Sequence, residues 1–174
     1  KDLIRITLSE FSQIGCEIFV GNRVLIRRMS PETEHHIKVL DLEYSMVTQE
    51  SLGNTAEWCK INFTGKPEQM ENVRTFLKPY TDRFCMASSM PAFCEITASG
   101  INKGSALKQI AADCGIAENR IFAIGDSYND EAMLQAAHIG FAPSNSDEDI
   151  LRTADVVVCS NNEDAVAQAI EYME

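Results

Sequence analysis

The sequence predicts an α/β chain in two parts, an α+β unit with an antiparallel sheet over residues 1–100 and a parallel-sheet unit over 101–174. Before Gly100, short strands joined by hairpin-length turns are interspersed with helices, the layout of an antiparallel sheet with helices on one face. After it, short apolar strands alternate strictly with helices, the layout of βαβ units and a parallel sheet. One strand of the second part also ends in a Gly-Asp pair, at the carboxyl end where open α/β sheets bind ligands.

In the first part, Asp2 to Ile14 reads as a helix with Ile4, Leu8 and Phe11 on one face, closed by Gly15. Cys16 to Val20 and Arg23 to Arg27 read as a hairpin around Gly21-Asn22. Ser30-Pro31-Glu32 starts a helix that runs to Leu40, with proline in its first turn. The polar stretch 41–55 is expected as a loop with room for one helical turn. Glu57 to Thr64 alternates like a strand with one buried face, and Pro67 to Lys78 is a helix presenting Met70, Val73 and Leu77. Arg83 to Ser88 and Phe93 to Thr97 are two strands joined across Met90-Pro91.

In the second part, Asn102 to Gly115 is expected as a helix with Leu107, Ile110, Ala111 and Cys114 inward. Strand 121–125, helix 129–138, strand 139–142, helix 147–154, strand 155–159 and helix 163–173 follow. No internal repeat or low-complexity segment interrupts them.

Composition narrows the function. Residues 1–101 carry 11 basic and 13 acidic side chains, and residues 102–174 carry 4 and 13. An acidic second part argues against nucleic acid or an anionic membrane as the main partner. No apolar run approaches the ~20 residues that span a bilayer. The six cysteines form no C-x-x-C pair and sit mostly in apolar patterns, so they read as small core hydrophobes of a reducing cytoplasm. His35, His36 and His138 match no zinc or triad spacing and read as surface or packing residues.

The chemistry concentrates in Ile124-Gly125-Asp126-Ser127-Tyr128-Asn129-Asp130. A carboxylate at a strand end, followed four residues later by another in the first turn of a helix, suits a hard divalent cation such as Mg²⁺. A lone Gly-Asp pair equally reads as a turn, with Asn129 or Asp130 as a helix N-cap. The G-D-x-x-N-D combination after an apolar strand, with a lysine upstream, favours the site. That lysine, Lys103, opens a helix, where its charge opposes the dipole. The position makes sense if its ammonium reaches an anion.

These residues resemble the haloacid dehalogenase (HAD) superfamily of phosphatases, in particular Cof-type sugar-phosphate phosphatases with a large inserted cap of the C2 type. The likeness runs from Glu95-Ile96 through Asn102 to Leu107, Ile124 to Leu134, Ala154 to Val157 and Ser160 to Val166. It is close in the second part and looser over residues 1–94. The resemblance implies a HAD Rossmann-like parallel-sheet core, here its C-terminal half, with residues 1–100 as the substrate-specificity cap. It also implies a Mg²⁺-dependent phosphatase acting on a small phosphorylated metabolite, sugar phosphates first. By that likeness Lys103 binds the transferring phosphoryl group, Asp126 holds Mg²⁺, Asn129 contacts substrate phosphate, and Asp130 supports both the metal site and the lysine.

The family's nucleophile is the first Asp of a D-x-D-G-T run, and the sequence contains no such run. Asp147-Glu148-Asp149 lacks the Gly-Thr and reads as the start of a helix. The chain is therefore expected to be a piece of such an enzyme, inactive alone. The alternative is a non-catalytic relic acting as an association or folding module. An ion-pump phosphorylation domain shares G-D-x-x-N-D but fits poorly without membrane segments. In the family's strand order, strand 121–125 would be left as an apolar edge, inviting self-association.

Overall fold

A two-residue turn at Gly21-Asn22, with Gly21 at φ 55°, folds β1 (Gly15–Val20) back on β2 (Arg23–Arg28) in antiparallel register. In the computed structural model, which describes residues 2–54 and 58–173, this hairpin lies inside a six-stranded sheet. Its other strands are β3 (Tyr44–Met46), β4 (Lys60–Thr64), β5 (Phe84–Ala87) and β6 (Phe93–Ala98), in the order β3-β2-β1-β4-β6-β5. The pairings are antiparallel except β2 with β3. Helices α1 (Asp2–Glu10), α2 (Pro31–Leu40) and α3 (Pro67–Leu77) complete a unit spanning Lys1–Ser99, and Gly100–Glu174 form a second unit.

Strand register assigns the two faces of the large sheet. Cys16, Ile18, Phe63 and Ile96 form one core with Ile4 and Leu8 of α1 and Met70, Val73 and Leu77 of α3. On the opposite face, Gly15 pairs with Thr64 and Glu17 with Asn62, and there α2 lies against the sheet. Thr33 Oγ1 meets Thr64 Oγ1 at 2.6 Å, and Glu17 accepts from His36 Nδ1 at 2.9 Å and from Asn62 Nδ2 at 3.0 Å. Helices therefore cover both faces, not one, and β4 buries Asn62 and Thr64 as well as Phe63. Glu57, the expected first residue of that strand, lies outside the described residues, as does Thr55 of the expected loop.

Two local expectations give way to tertiary demands. The first helix stops at Glu10 rather than Ile14, and the Arg28 guanidinium donates to the carbonyls of Leu8 at 2.8 Å and Phe11 at 2.7 Å, satisfying its open end. Gly15 opens β1 rather than capping the helix, because a Cβ there would lie 2.0 Å from Thr33 Oγ1 and 2.3 Å from Thr64 Oγ1. The stretch expected as loop holds β3, an exposed edge strand whose pairing rests on backbone bonds and leaves no side-chain pattern.

The second unit alternates α4 (Lys103–Asp113), β7 (Phe122–Ile124), α5 (Glu131–Ala136), β8 (Ile139–Pro143), α6 (Glu148–Thr153), β9 (Val156–Val158) and α7 (Ala165–Tyr172). The strands form a parallel sheet in the order β7-β8-β9, with β7 at an edge and Phe122 exposed. Ala123, Leu134, Ala142 and Ile150 form the core of one face, and Phe141, Val158, Ala165 and Ala169 that of the other. Helix α4 packs against α5 and the turn 128–130. It buries Gly104 and Ala111 and half-buries Leu107, while Ile110 and Cys114, both expected inward, are exposed. The narrow contact with α5 covers only one stripe of a helix whose apolar residues span a wider arc.

Candidate active site

Pairing of β7 with β8 extends one residue past β7, where the Gly125 N–H donates to the Phe141 carbonyl at 3.1 Å. The chain then enters a single 3₁₀ turn, Tyr128–Asp130, ahead of α5. Asp130 is buried beneath that turn, and a Cβ on Gly125 would come within 2.4 Å of Asp130 Cβ. Glycine is required at 125 because the second aspartate of the motif folds back against the first loop residue. Asp130 Oδ2 accepts from the backbone N–H groups of Asp126 at 3.1 Å and Ser127 at 3.3 Å. Its Oδ1 accepts from Lys103 Nζ.

Lys103 arrives there through helix packing. Asn102 caps α4 by accepting from the Ser105 N–H at 2.9 Å, and Lys103 is the first helical residue. A Cβ on Gly104 would lie 2.1 Å from the Ala132 carbonyl oxygen. The glycine after the lysine therefore lets α4 approach α5 closely enough for Lys103 to reach Asp130. The ion pair places a half-exposed ammonium beside a buried carboxylate, and the carboxylate offsets the unfavourable helix dipole.

Asp126 stands apart from this pair. It is exposed, and its Oδ1 accepts from Ser127 Oγ at 3.1 Å. Asp126, Asp130 and Lys103 line a cleft of about 530 Å³ at the carboxyl ends of the three strands, with Met133 and Pro143 as apolar wall. The cleft also takes in Asn161, Asp164 and the first residues of α7. Asn129 is half-buried in the 3₁₀ turn and is not among the cleft-lining residues. Asp147 precedes α6, and its N–H donates to the Asp126 carbonyl at 3.0 Å. Glu148 and Asp149 both pair with Arg152 on the surface. The first unit has a smaller cavity of about 270 Å³, whose lining includes Lys60 and Arg83 but no acid.

Asn161 and Asp164 carry no role in the sequence reading. The rule that led to Asp126 also reaches them: they follow β9, another strand of the same parallel sheet, and ligands gather at all such strand ends. Asp164 has φ 62°, the left-handed region that few non-glycine residues occupy.

Among the described residues no three His, Cys, Asp or Glu side chains are grouped to hold a metal. Both oxygens of Asp130 are engaged by hydrogen bonds, which leaves Asp126 as the accessible carboxylate of the motif. That donor set suits Mg²⁺, which is commonly held by one or two carboxylates with water and substrate phosphate as its other ligands. No helix among the described residues is long and apolar enough to cross a membrane.

Comparison with known proteins agrees with this geometry. The family model for haloacid dehalogenase-like hydrolases matches residues 3–170. The 5-amino-6-(5-phospho-D-ribitylamino)uracil phosphatase YcsE of Bacillus subtilis is 30% identical over 172 residues, covering 91% of this chain and 69% of its own. A phosphoglycolate phosphatase of Methanosarcina acetivorans is 36% identical over 105 residues, covering 60% of this chain and 46% of its own. In structure, the HAD subclass IIB sugar phosphatase BT4131 superposes with a TM-score of 0.80 at 22% identity, over 98% of this chain and 64% of that one. A haloacid dehalogenase-like hydrolase from Bacteroides thetaiotaomicron gives 0.77 at 23% identity, over 99% and 65%. The chain thus spans from under half to about two thirds of the length of these relatives. With a match across nearly its whole length and the motif assembled at a strand end, this chain belongs to the haloacid dehalogenase-like hydrolases.

Proposed function

We propose that the cleft at the ends of β7, β8 and β9 is the phosphate- and Mg²⁺-binding half of a phosphomonoester hydrolase acting on small phosphorylated metabolites, sugar phosphates foremost. The observation that carries this reading is the Lys103–Asp130 pair beside the exposed Asp126 carboxylate. Lys103 donates to a phosphoryl oxygen and offsets its charge, while Asp130 holds the ammonium at the cleft and fixes the Asp126 loop through two backbone amides. Asp126 is the side chain that would hold Mg²⁺, and Asp130 serves that site from behind. When bound, the ion supplies charge neutralisation for the phosphoryl group. The first unit takes the role of specificity cap by its likeness to the relatives. Their names, which cite a ribitylaminouracil phosphate, phosphoglycolate and sugar phosphates, support a small metabolite as substrate.

No D-x-D-G-T run occurs in the 174 residues, so the reading assigns this chain binding and charge stabilisation, and turnover by it alone is not expected. The test is a titration of the isotope-labelled chain with inorganic phosphate in Mg²⁺, followed at the Lys103, Asp126 and Ser127 signals, with p-nitrophenyl phosphate assayed in parallel. Phosphate-dependent shifts should vanish in Lys103→Ala and weaken in Asp126→Asn. Shifts unchanged in both variants would overturn the site, and hydrolysis lost in Asp126→Asn would overturn the expected inactivity.

A further inference from the structure

The three strand-end loops around the cleft are not independent. The middle loop, 144–147 after β8, is bonded to both of its neighbours. On one side the Asp147 N–H donates to the Asp126 carbonyl at 3.0 Å. On the other, Asn145 and Asn161 form a reciprocal pair. Asn145 Nδ2 donates to Asn161 Oδ1 at 3.0 Å, and the Asn161 backbone N–H donates to Asn145 Oδ1 at 2.9 Å. The loop is stiffened from within, since Ser146 Oγ donates to the Pro143 carbonyl at 2.6 Å and the Ser146 N–H to the same oxygen at 3.0 Å.

What these bonds hold is the wall of the cleft. Asn161 begins the 3₁₀ turn Asn161–Glu163, which ends at Asp164 in its left-handed conformation. Asn161 and Asp164 line the cleft, whereas Asn145 does not. An asparagine side chain suits the link because one planar amide offers a donor and an acceptor side by side. Alanine at 145 would leave the Asn161 N–H and Oδ1 to water and free the turn that places Asp164.

We propose that Asn145 is a positioning residue. Through its two bonds to Asn161 it sets the Asn161–Asp164 wall, and through its loop it ties that wall to Asp126. The inference rests on the phosphate-site reading for its consequence but not for its geometry, and the experiment separates the two.

In the free chain, Asn145→Ala should shift the Asp126 and Asp164 amide signals and change the Asp164 HN–Hα coupling, which reports φ. It should leave the cooperative unfolding midpoint near that of the parent. In the phosphate titration, Asn145→Ala should weaken affinity about two- to tenfold, the range of one or two exposed hydrogen bonds. Adding Asn145→Ala to Asn161→Ala should cost less affinity than Asn145→Ala costs the parent, because only the bond from the residue-161 backbone N–H is then left to lose. Asn145→Asp keeps both bonds once the Asn161 amide rotates, and should restore the Asp164 coupling. Asp126 and Asp164 signals unaltered in Asn145→Ala, or losses of affinity that add in the double variant, would overturn the proposal. If the parent binds no phosphate, the site reading fails, and the coupling and shift data still decide the role of Asn145. Should Asn145→Ala fold poorly, Asn145→Ser gives the same comparison.

Discussion

Residues 1–99 bury Ile14, Ile18, Leu52, Phe63, Met70 and Leu77 in one continuous cluster beneath a six-stranded sheet, whereas residues 100–174 divide their core between two thin clusters in which half of the buried residues are alanines. Stabilisation by burial scales with apolar area removed from water, so the larger share of it belongs to the first unit. Buried polar groups divide the other way in purpose. In the first unit Ser30, Thr33 and Thr64 bond one another, and Glu17 accepts from Asn62 and from His36, which fastens α2 to the sheet. In the second, the buried polar side chain among the described residues is Asp130, at the cleft. One unit uses its interior polarity for architecture, and the other places it at the cleft.

The sharpest way to break this comparison is to hollow the larger core. Phe63→Ala should cost about 3–5 kcal/mol, the usual loss for a buried phenylalanine. The protein's single tryptophan, Trp58, lies in the first unit and packs against that core, so its fluorescence during urea unfolding reads the loss directly. A change below about 1 kcal/mol would show that this cluster is not what holds the unit together. A smaller effect is expected in the second unit from Gly125→Ala, which drives a methyl into Asp130. Overpacking of this kind costs about 1–3 kcal/mol. Amide exchange in residues 100–174 should quicken while the Trp58 transition stays in place, and coupled losses in both would refute their separate accounts.

The smallest effect lies within the first unit, where two acids on one sheet face should titrate in opposite senses. Burial is the largest influence on Glu17 and pushes its pKa up, against the His36 and Asn62 bonds and nearby Lys60, which lower it. Burial also raises Glu95, but the Ser89 hydroxyl and Lys60 outweigh it and hold that carboxyl below its ordinary value. A raised folded pKa means that the Glu17 contribution is present below the ordinary carboxyl range and lost as pH rises through its folded pKa. A depressed one means that the Glu95 contribution is present above that range and lost as pH falls. Carboxyl ¹³C shifts should therefore show Glu95 ionising before Glu17 as pH rises, and the reverse order would sink the assignment. In the same range Glu17→Gln should flatten the decline on the alkaline side, and Glu95→Gln the decline on the acid side.

Most elements of both units were legible because their signals are local. Ser30-Pro31 predicts the start of α2, and Ser30 Oγ does accept from the Thr33 N–H at 3.1 Å. Gly21-Asn22 predicts the hairpin, and the register from Val20–Arg23 out to Glu17–Ile26 matches it. The alternation of strands and helices after Gly100 predicts a parallel sheet, which β7, β8 and β9 form. What escaped was set by partners distant in sequence. Nothing in the stretch 41–55 marks Tyr44–Met46 as a strand, because its bonds go to the backbone of β2. The α2 helix has its own caps, yet which sheet face it covers depends on Thr64, Glu17 and Phe93. In the site, the sequence marked Lys103, Asp126, Asn129 and Asp130 but not Asn161 or Asp164, since the β9 turn reaches the cleft only through the sheet.

The sequence by itself determined most of the helices and strands, where the layout changes near Gly100, and which strand end carries the carboxylates. Those features follow from periodicity, capping and turn chemistry, which act over a few residues. Only the tertiary structure decided that Asp130 turns inward to hold Lys103 while Asp126 stays open, and that Asn145 ties two loops together. The physical reason is close approach: Gly104 and Gly125 have no side chain to keep α4 from α5 or Asp130 from its own loop, and what fills that space lies 5 to 28 residues further along the chain.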